Sequence, residues 1–131
     1  MPKTGGDEVN PANVASSSGR TGAPTATAGA NNGTSPPAPV VTAGDNDVKG
    51  TITFGSGATP AAGAQVNVTL HPSSSFKGTP VVEVTPINDA TDALGVFPTN
   101  ISATGFTITA HTAPAASQPN TTYAVEYSIV V

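Results

Sequence analysis

The stretch Asn100–Ala110 constrains this chain more than any other. Phe106, Ile108 and Ala110 are apolar, and Thr107 and Thr109 stand between them. A period of two is the signature of a strand with one buried and one wet face. Ahead of it, Ala103-Thr104-Gly105 supplies turn chemistry, with Gly105 free to take a positive φ. Val96, Phe97 and Ile101 offer the partner strand of a hairpin. A second alternation closes the chain, with Tyr123, Val125, Tyr127, Ile129 and Val131 on one face. Ala124, Glu126, Ser128 and Val130 fall on the other. No window keeps helical spacing for three turns, and 14 glycines and 13 prolines oppose helix formation. Little or no helix is expected.

Three more strands precede the hairpin. Thr51-Ile52-Thr53-Phe54 is ended by the loop Gly55-Ser56-Gly57-Ala58-Thr59-Pro60. Gln65 to Leu70 places Val66, Val68 and Leu70 on one face and Asn67 and Thr69 on the other. Val81 to Thr85 is bounded by Pro80 and Pro86, which puts its ends at edges or turns. Pro72 to Ser75 reads as a loop with Phe76 tucked back as an anchor, and Asn88 to Ala93 as a polar excursion before Leu94 to Phe97. About six strands with turns at this spacing predict an all-β fold over residues 48–131, a small antiparallel β-sandwich or barrel-like domain.

Residues 1–47 read differently. They contain no aromatic residue, leucine or isoleucine, and their large aliphatics are Val9, Val14, Val40 and Val41. Such a segment buries too little apolar surface to offset its conformational entropy, so it is expected to be an extended, low-complexity N-terminal arm. Pro36-Pro37-Ala38-Pro39 adds a stiffer polyproline-type spacer. A floppy linker is the bland reading. A docking arm ordered against a partner fits better, since a passive linker needs a domain at both ends. Asp45-Asn46-Asp47 suggests a turn at the boundary, because the further oxygen ligands of a calcium loop do not follow.

Composition removes several classes of function. The net charge is −4, and Lys3, Arg20, Lys49 and Lys77 are scattered, so there is no basic stripe for a nucleic-acid backbone. No apolar run reaches the roughly 18–20 residues of a membrane span, and the first eight residues lack the apolar core of a secretory signal. The absence of cysteine fits synthesis in a reducing cytosol. A thin core without cysteine or metal ligands is expected to be supported by homo-oligomerisation, with a trimer favoured.

Chemistry-bearing motifs are few. His71 and His111 each follow a strand and lie far apart, so no metal-ligand spacing exists and exposed loop histidines are expected. No serine lies in a nucleophile elbow, and Gly55-Ser56-Gly57 lacks the lysine and helix of a phosphate cradle. Glu83 and Glu126 lie on strand faces that read as solvent-exposed, with Asp89 and Asp92 in a loop, so no acid–base pair is expected to line a cleft. No catalytic, cofactor-binding or metal residue is therefore assigned, and the chain is expected not to be an enzyme. Asn-x-Ser/Thr sequons at Asn32, Asn67, Asn100 and Asn120 are read as products of an Asn- and Thr-rich composition. Flat β surfaces rich in Thr, Ser and Asn can bind glycans, most readily beside an aromatic platform. Phe76, Phe97, Tyr123 and Tyr127 are the candidates for such a surface or for an oligomer interface. The tyrosines share a face with Val125 and Ile129, which favours core or interface.

Several motifs recur here in an order that resembles a known group. They are Gly50–Gly55, Pro60-Ala61-Ala62-Gly63, Pro80-Val81-Val82 with Thr85-Pro86, Asn100–Ile108, and Tyr123 with a β-rich terminus. The order resembles C-terminal β domains of tailed-bacteriophage virion proteins: tail fibres, minor tail proteins, head fibres and head decoration proteins. That resemblance covers residues 48–131. It implies a position on the virion exterior after synthesis in the host cytoplasm, often as trimers, and in some members attachment to host surface glycans. The chain has no coiled coil or repeat stalk, which argues against a long tail fibre. The expectation is a capsid decoration or short head-fibre protein, docked through residues 1–47 onto a major capsid or tail protein. The alternative is a tail-associated receptor- or glycan-binding tip.

Overall fold

The computed structural model describes residues 23–42, 48–71 and 79–130. Among these the strands are β1 (Thr25–Ala28), β2 (Val40–Val41), β3 (Lys49–Phe54), β4 (Gly63–Thr69), β5 (Val81–Pro86), β6 (Val96–Ser102), β7 (Gly105–Ala110) and β8 (Tyr123–Val130). A one-turn helix, α1 (Asp89–Asp92), stands between β5 and β6. The strands form two four-stranded sheets, ordered β1-β4-β7-β6 and β2-β3-β8-β5. Every ladder is antiparallel.

The period-two patterns translate directly into burial. In β8, Tyr123, Val125, Tyr127 and Ile129 are buried while Glu126 and Val130 are exposed. In β7, Phe106, Ile108 and Ala110 face the core, and in β4 so do Val66 and Val68. Ile52 and Phe54 of β3 join them from the second sheet, so one apolar layer lies between the two. Each large side chain sealed there contributes about 1.5–3 kcal/mol through its burial. The expected hairpin is β6–β7, and Val81–Pro86 is an edge strand as its flanking prolines require.

Gly105 plays a different part from the one expected. It does not adopt a positive φ. It lies where β7 meets β4, and a Cβ added there would stand 2.3 Å from the Val68 carbonyl oxygen. Close backbone approach, not turn geometry, requires glycine at this position.

The polar excursion at 88–93 contains one helical turn, capped by Asn88. The Asn88 Oδ1 accepts from the Thr91 backbone N–H at 2.9 Å and from the Thr91 hydroxyl at 2.6 Å. Thr91 Oγ1 in turn accepts from the Ala124 N–H at 2.8 Å, which fixes the turn to the start of β8. The local Asx-type bonding that makes asparagine a good cap stabilises this turn in a segment with no apolar period.

The largest departure concerns the expected boundary between residues 47 and 48. Residues 23–42 belong to the sheets, and they account for the two strands beyond the expected six. β1 pairs with β4 from Thr25 opposite Thr69 to Ala28 opposite Val66, and β2 pairs Val40 with Thr53 and Val41 with Ile52. Residues 1–22 and the Asp45-Asn46-Asp47 turn lie outside the described residues, as do the Pro72–Ser75 loop, Phe76 and Val131.

The reason this apolar-poor segment folds is polar. Asn32 and Gln65 are both fully buried. Asn32 Nδ2 donates to the Gln65 Oε1 at 2.9 Å and to the Gly55 carbonyl at 2.9 Å. Gln65 Nε2 donates to the carbonyls of Ala61 (2.8 Å) and Gly63 (3.1 Å). Backbone bonds surround this pair: Gly29 N–H to Gln65 O, Asn31 N–H to Ala64 O, and Gly57 N–H to Asn32 O. Asn32 Oδ1 is left buried without a partner. Gln65 sits where the β4–β7 register shifts between Ala64 and Val66, so the bulge turns a polar residue inward to meet Asn32.

This arrangement predicts a large effect from a small deletion. Asn32→Ala leaves Gln65 Oε1 and the Gly55 carbonyl buried without donors, and is expected to lower unfolding free energy by about 2–3 kcal/mol. Thr27→Ala, on an exposed strand face, is expected to change it by less than about 0.5 kcal/mol. Urea denaturation followed by circular dichroism compares them. Equal losses in the two variants would show that residues 29–34 are held by the ladder alone.

Candidate functional site

Three surfaces present groups that could act on something outside the domain. The first is a shallow groove of about 500 Å³ between residues 34–37, 56–58 and 117–119. Ser56 and Gly57 line it, and both belong to the buried tripeptide Gly55-Ser56-Gly57. A Cβ on Gly57 would stand 2.1 Å from the Thr34 oxygen and one on Gly55 2.2 Å from the Gln118 oxygen, so the tripeptide is gripped from both sides. The Ser56 hydroxyl donates to the Ala115 carbonyl and accepts from the Gln118 N–H at 3.1 Å. Ser35 and Ser117 on the rim have φ of 53° and 55°, in the left-handed region, at a cost of about 1–2 kcal/mol each. No titratable group lines the groove. Backbone bonds join its loops, Thr34 N–H to Ala58 O, Ala58 N–H to Thr34 O and Ser117 N–H to Gly57 O, and its geometry is that of a clasp between loops.

The second surface is the outer face of the β2-β3-β8-β5 sheet. A hollow of about 240 Å³ is lined by Lys49, Glu83, Thr85, Glu126, Tyr127 and Ser128. Register places Lys49 opposite Ser128 and Ser128 opposite Glu83, with Glu126 opposite Thr85 and Thr51 in the next row. Both carboxylates are exposed on a flat face, as their strand positions suggested. Among the described residues no group of three or more His, Cys, Asp or Glu could hold a metal ion.

The third surface is the outer face of the β1-β4-β7-β6 sheet, and no residue of its four strands is charged. Thr27, Asn67, Thr107 and Thr99 form one continuous row across all four strands. Thr107 Oγ1 donates to Asn67 Oδ1 at 3.2 Å and accepts from Asn100 Nδ2 at 3.4 Å. The hydroxyls of Thr99 and Thr109 lie 2.7 Å apart. Beside this row Phe97, opposite Thr109, stacks on His111 with ring centroids 4.4 Å apart and 26° between planes. Asn100 has φ of 51°, at the register shift that turns Ile101 back toward the core.

The candidate aromatics separate on this map. Tyr127 is fully buried and Tyr123 nearly so, and both are core residues. Tyr123 packs on Phe54 at 5.3 Å and Tyr127 on Phe106 at 6.1 Å. The Tyr123 hydroxyl accepts from the Ala115 N–H at 2.9 Å, so its polar end is satisfied inside the domain. Neither offers a surface platform. Phe97 remains half-buried at the edge of the uncharged face, and Phe76 lies outside the described residues. His111 is exposed, while His71 is half-buried. The stacking of Phe97 on His111 is not evident from either residue's local pattern, and the spacing of the two around the hairpin is the signal that bears on it. Of the sequon asparagines, Asn32 is sealed in the interior.

Compared with known proteins, the chain matches no family model, no curated protein and no solved structure.

Thr107 tests whether the uncharged face is a bonded network. It is 6 % exposed, roofed by the Asn67 and Asn100 side chains. Thr107→Val keeps the shape and removes both bonds, and is expected to cost about 1 kcal/mol in thermal or urea unfolding. An unchanged or raised stability would mean the asparagines are already bonded to solvent.

Proposed function

We propose that this protein is a non-enzymatic structural component of a tailed-phage virion exterior, a capsid decoration or short head-fibre protein. Its attachment runs through the residues ahead of β1, and the two-sheet domain is the rigid body that attachment positions. The virion assignment rests on the motif order from Gly50 to Tyr123. The non-catalytic part of the reading rests on one observation: apart from Asn32 Oδ1, the buried side-chain polar groups described above are engaged in holding the domain together. Asn32, Gln65, Ser56 and Thr91 all bond within it. Glu83 and Glu126, its strand carboxylates, stand on an open face where no reacting group is enclosed. Several copies on one particle would turn individually weak contacts into firm attachment through effective concentration.

The experiment is co-sedimentation of the full chain and of residues 23–131 with undecorated particles and with intact host cells. The truncation begins at 23 because β1 and β2 are part of the sheets. The expected result is that the full chain pellets with particles, the truncated chain stays in the supernatant with its circular dichroism unchanged, and neither pellets with cells. Loss of particle binding together with loss of fold would assign the effect to the domain and not to its leading residues.

A second reading, a receptor- or glycan-binding tip, is favoured by the uncharged Thr/Asn face beside Phe97. A neutral sugar can exchange hydrogen bonds with Asn67, Thr99 and Asn100 while a ring packs on the exposed edge of the Phe97–His111 stack. On this reading the truncated chain pellets with cells, and Phe97→Ala weakens that binding about tenfold, the worth of one aromatic contact. Cell binding that survives Phe97→Ala would place the contact elsewhere.

A further inference from the structure

Asn32-Gly33 is the one Asn-Gly pair in the sequence. Glycine has no Cβ to shield its amide, so in an open chain its nitrogen reaches the side-chain carbonyl of the preceding asparagine with the least hindrance. Asparagine is a chemically labile residue. In this reaction the Gly33 nitrogen bonds to Asn32 Cγ, the Cγ–Nδ2 bond breaks, and ammonia leaves with the proton that the Gly33 nitrogen gives up. The product is a five-membered succinimide. Water then opens the ring at either carbonyl and leaves aspartate or isoaspartate at position 32. The net change consumes water, releases ammonia and needs no oxidant, reductant or cofactor.

The folded domain opposes each of these steps. Asn32 is fully buried, so water is kept away. Its Nδ2, the leaving nitrogen, is engaged by Gln65 Oε1 and the Gly55 carbonyl. Its Oδ1, where negative charge develops as the ring closes, has no donor. An oxyanion without donors in a low-dielectric interior is strongly disfavoured. The backbone is held on both sides, with Asn32 N–H bonded to Gly29 O and Asn32 O accepting from Gly57 N–H. Gly33 has φ of 97°, and a Cβ there would stand 2.6 Å from the Ala58 oxygen, so its peptide is packed in place.

The segment that provides this protection is weakly anchored. Among the described residues the buried apolar core runs from Ile52 to Ile129, and residues 23–42 add Ala26 and Val41, both partly buried. β1 and β2 are end strands of their sheets. They pair over Thr25–Ala28 and Val40–Val41 alone, so lifting them leaves β4-β7-β6 and β3-β8-β5 joined. Edge segments with few buried apolar contacts open at a lower free energy than the core.

We infer that Asn32 is a deamidation site gated by local opening of residues 23–42, and that the reaction acts as a one-way latch. An aspartate at 32 has no hydrogen to give Gln65 Oε1 or the Gly55 carbonyl, and closure would bury its charge against both oxygens. Isoaspartate lengthens the main chain by a methylene and displaces the bonds to Gly29 and Gly57. Either product keeps the segment open and uncovers the edges of β4 and β3. The extent of conversion therefore records how long the segment has been open. This holds whether or not the protein belongs to a virion.

The test is incubation of the full chain in mildly alkaline buffer across a urea series. Peptide mass mapping follows conversion at Asn32, and an isoaspartate assay identifies the products. In urea that unfolds the chain, Asn32 is expected to convert ahead of the other asparagines. Without urea its rate is expected to be about a hundredfold lower or less. Between these limits the rate is expected to rise below the unfolding transition seen by circular dichroism, with a shallower urea dependence, because local opening exposes less surface. The variant Asn32→Asp carries the product. Hydrogen exchange at the amides of Gly29, Asn31 and Thr34 is expected to speed up about tenfold or more in it, while β7 and β8 keep their protection. Native conversion as fast as in the unfolded chain, a urea dependence equal to that of global unfolding, or earlier conversion at other asparagines would each overturn the inference. So would a variant that keeps its protection at residues 29–34, or one that loses it in β7 and β8 as well.

Discussion

Two buried carboxamides hold the ends of this domain together. Asn32 reaches from the segment between β1 and β2 into the bulge of β4, where Gln65 turns inward, and also to Gly55 at the end of β3. In the low dielectric of the interior such bonds are strong, and an unpaired carboxamide there is costly. The pair therefore fixes three segments at once. Gly55 and Gly57 let the neighbouring chains come within backbone contact of that point, where any side chain would collide with Thr34 or Gln118. The ladders β1–β4 and β2–β3 then extend outward from a position already set.

The two outer faces carry different chemistry although both sheets share one core. The β4–β7 side is uncharged and closely bonded among its own threonines and asparagines, with Phe97 and His111 stacked at its margin. The β3–β8 side holds Lys49, Glu83 and Glu126, flanked at both ends by exposed valine or isoleucine. A neutral hydroxylated surface suits neutral, hydroxylated ligands.

Much of the framework was legible in the residue pattern. β7 and β8 have unbroken alternation, and their buried and exposed positions fall where the apolar and polar residues do. The site was less legible. Tyr123 and Tyr127 have polar ends that suit a surface, yet Tyr123 satisfies its hydroxyl with the Ala115 N–H, a partner eight residues away that no pattern announces. Phe97 resembles any other hairpin aromatic until His111 is brought against it. Glu83 and Glu126 could be assigned to exposed faces from sequence, but only the register sets them in adjacent rows beside Lys49.

The residue pattern is enough for an all-β fold, because period-two burial and the shortage of helix-forming windows leave strands with one buried face, and the arrangement as two sheets comes from the structure. The pattern also determined which side of each long strand is inside. That residues 23–42 are part of that fold emerges only from the pairing of β1 with β4 and of β2 with β3. Thr25–Ala28 is too small and polar to pay for its own ordering, and its place is secured by the backbone of β4 and the buried amide of Asn32. Those interactions link residues 33 or more positions apart, and a local pattern carries no record of a partner so distant. The same holds for the charged and uncharged faces, which exist only once register has aligned the rows of separate strands.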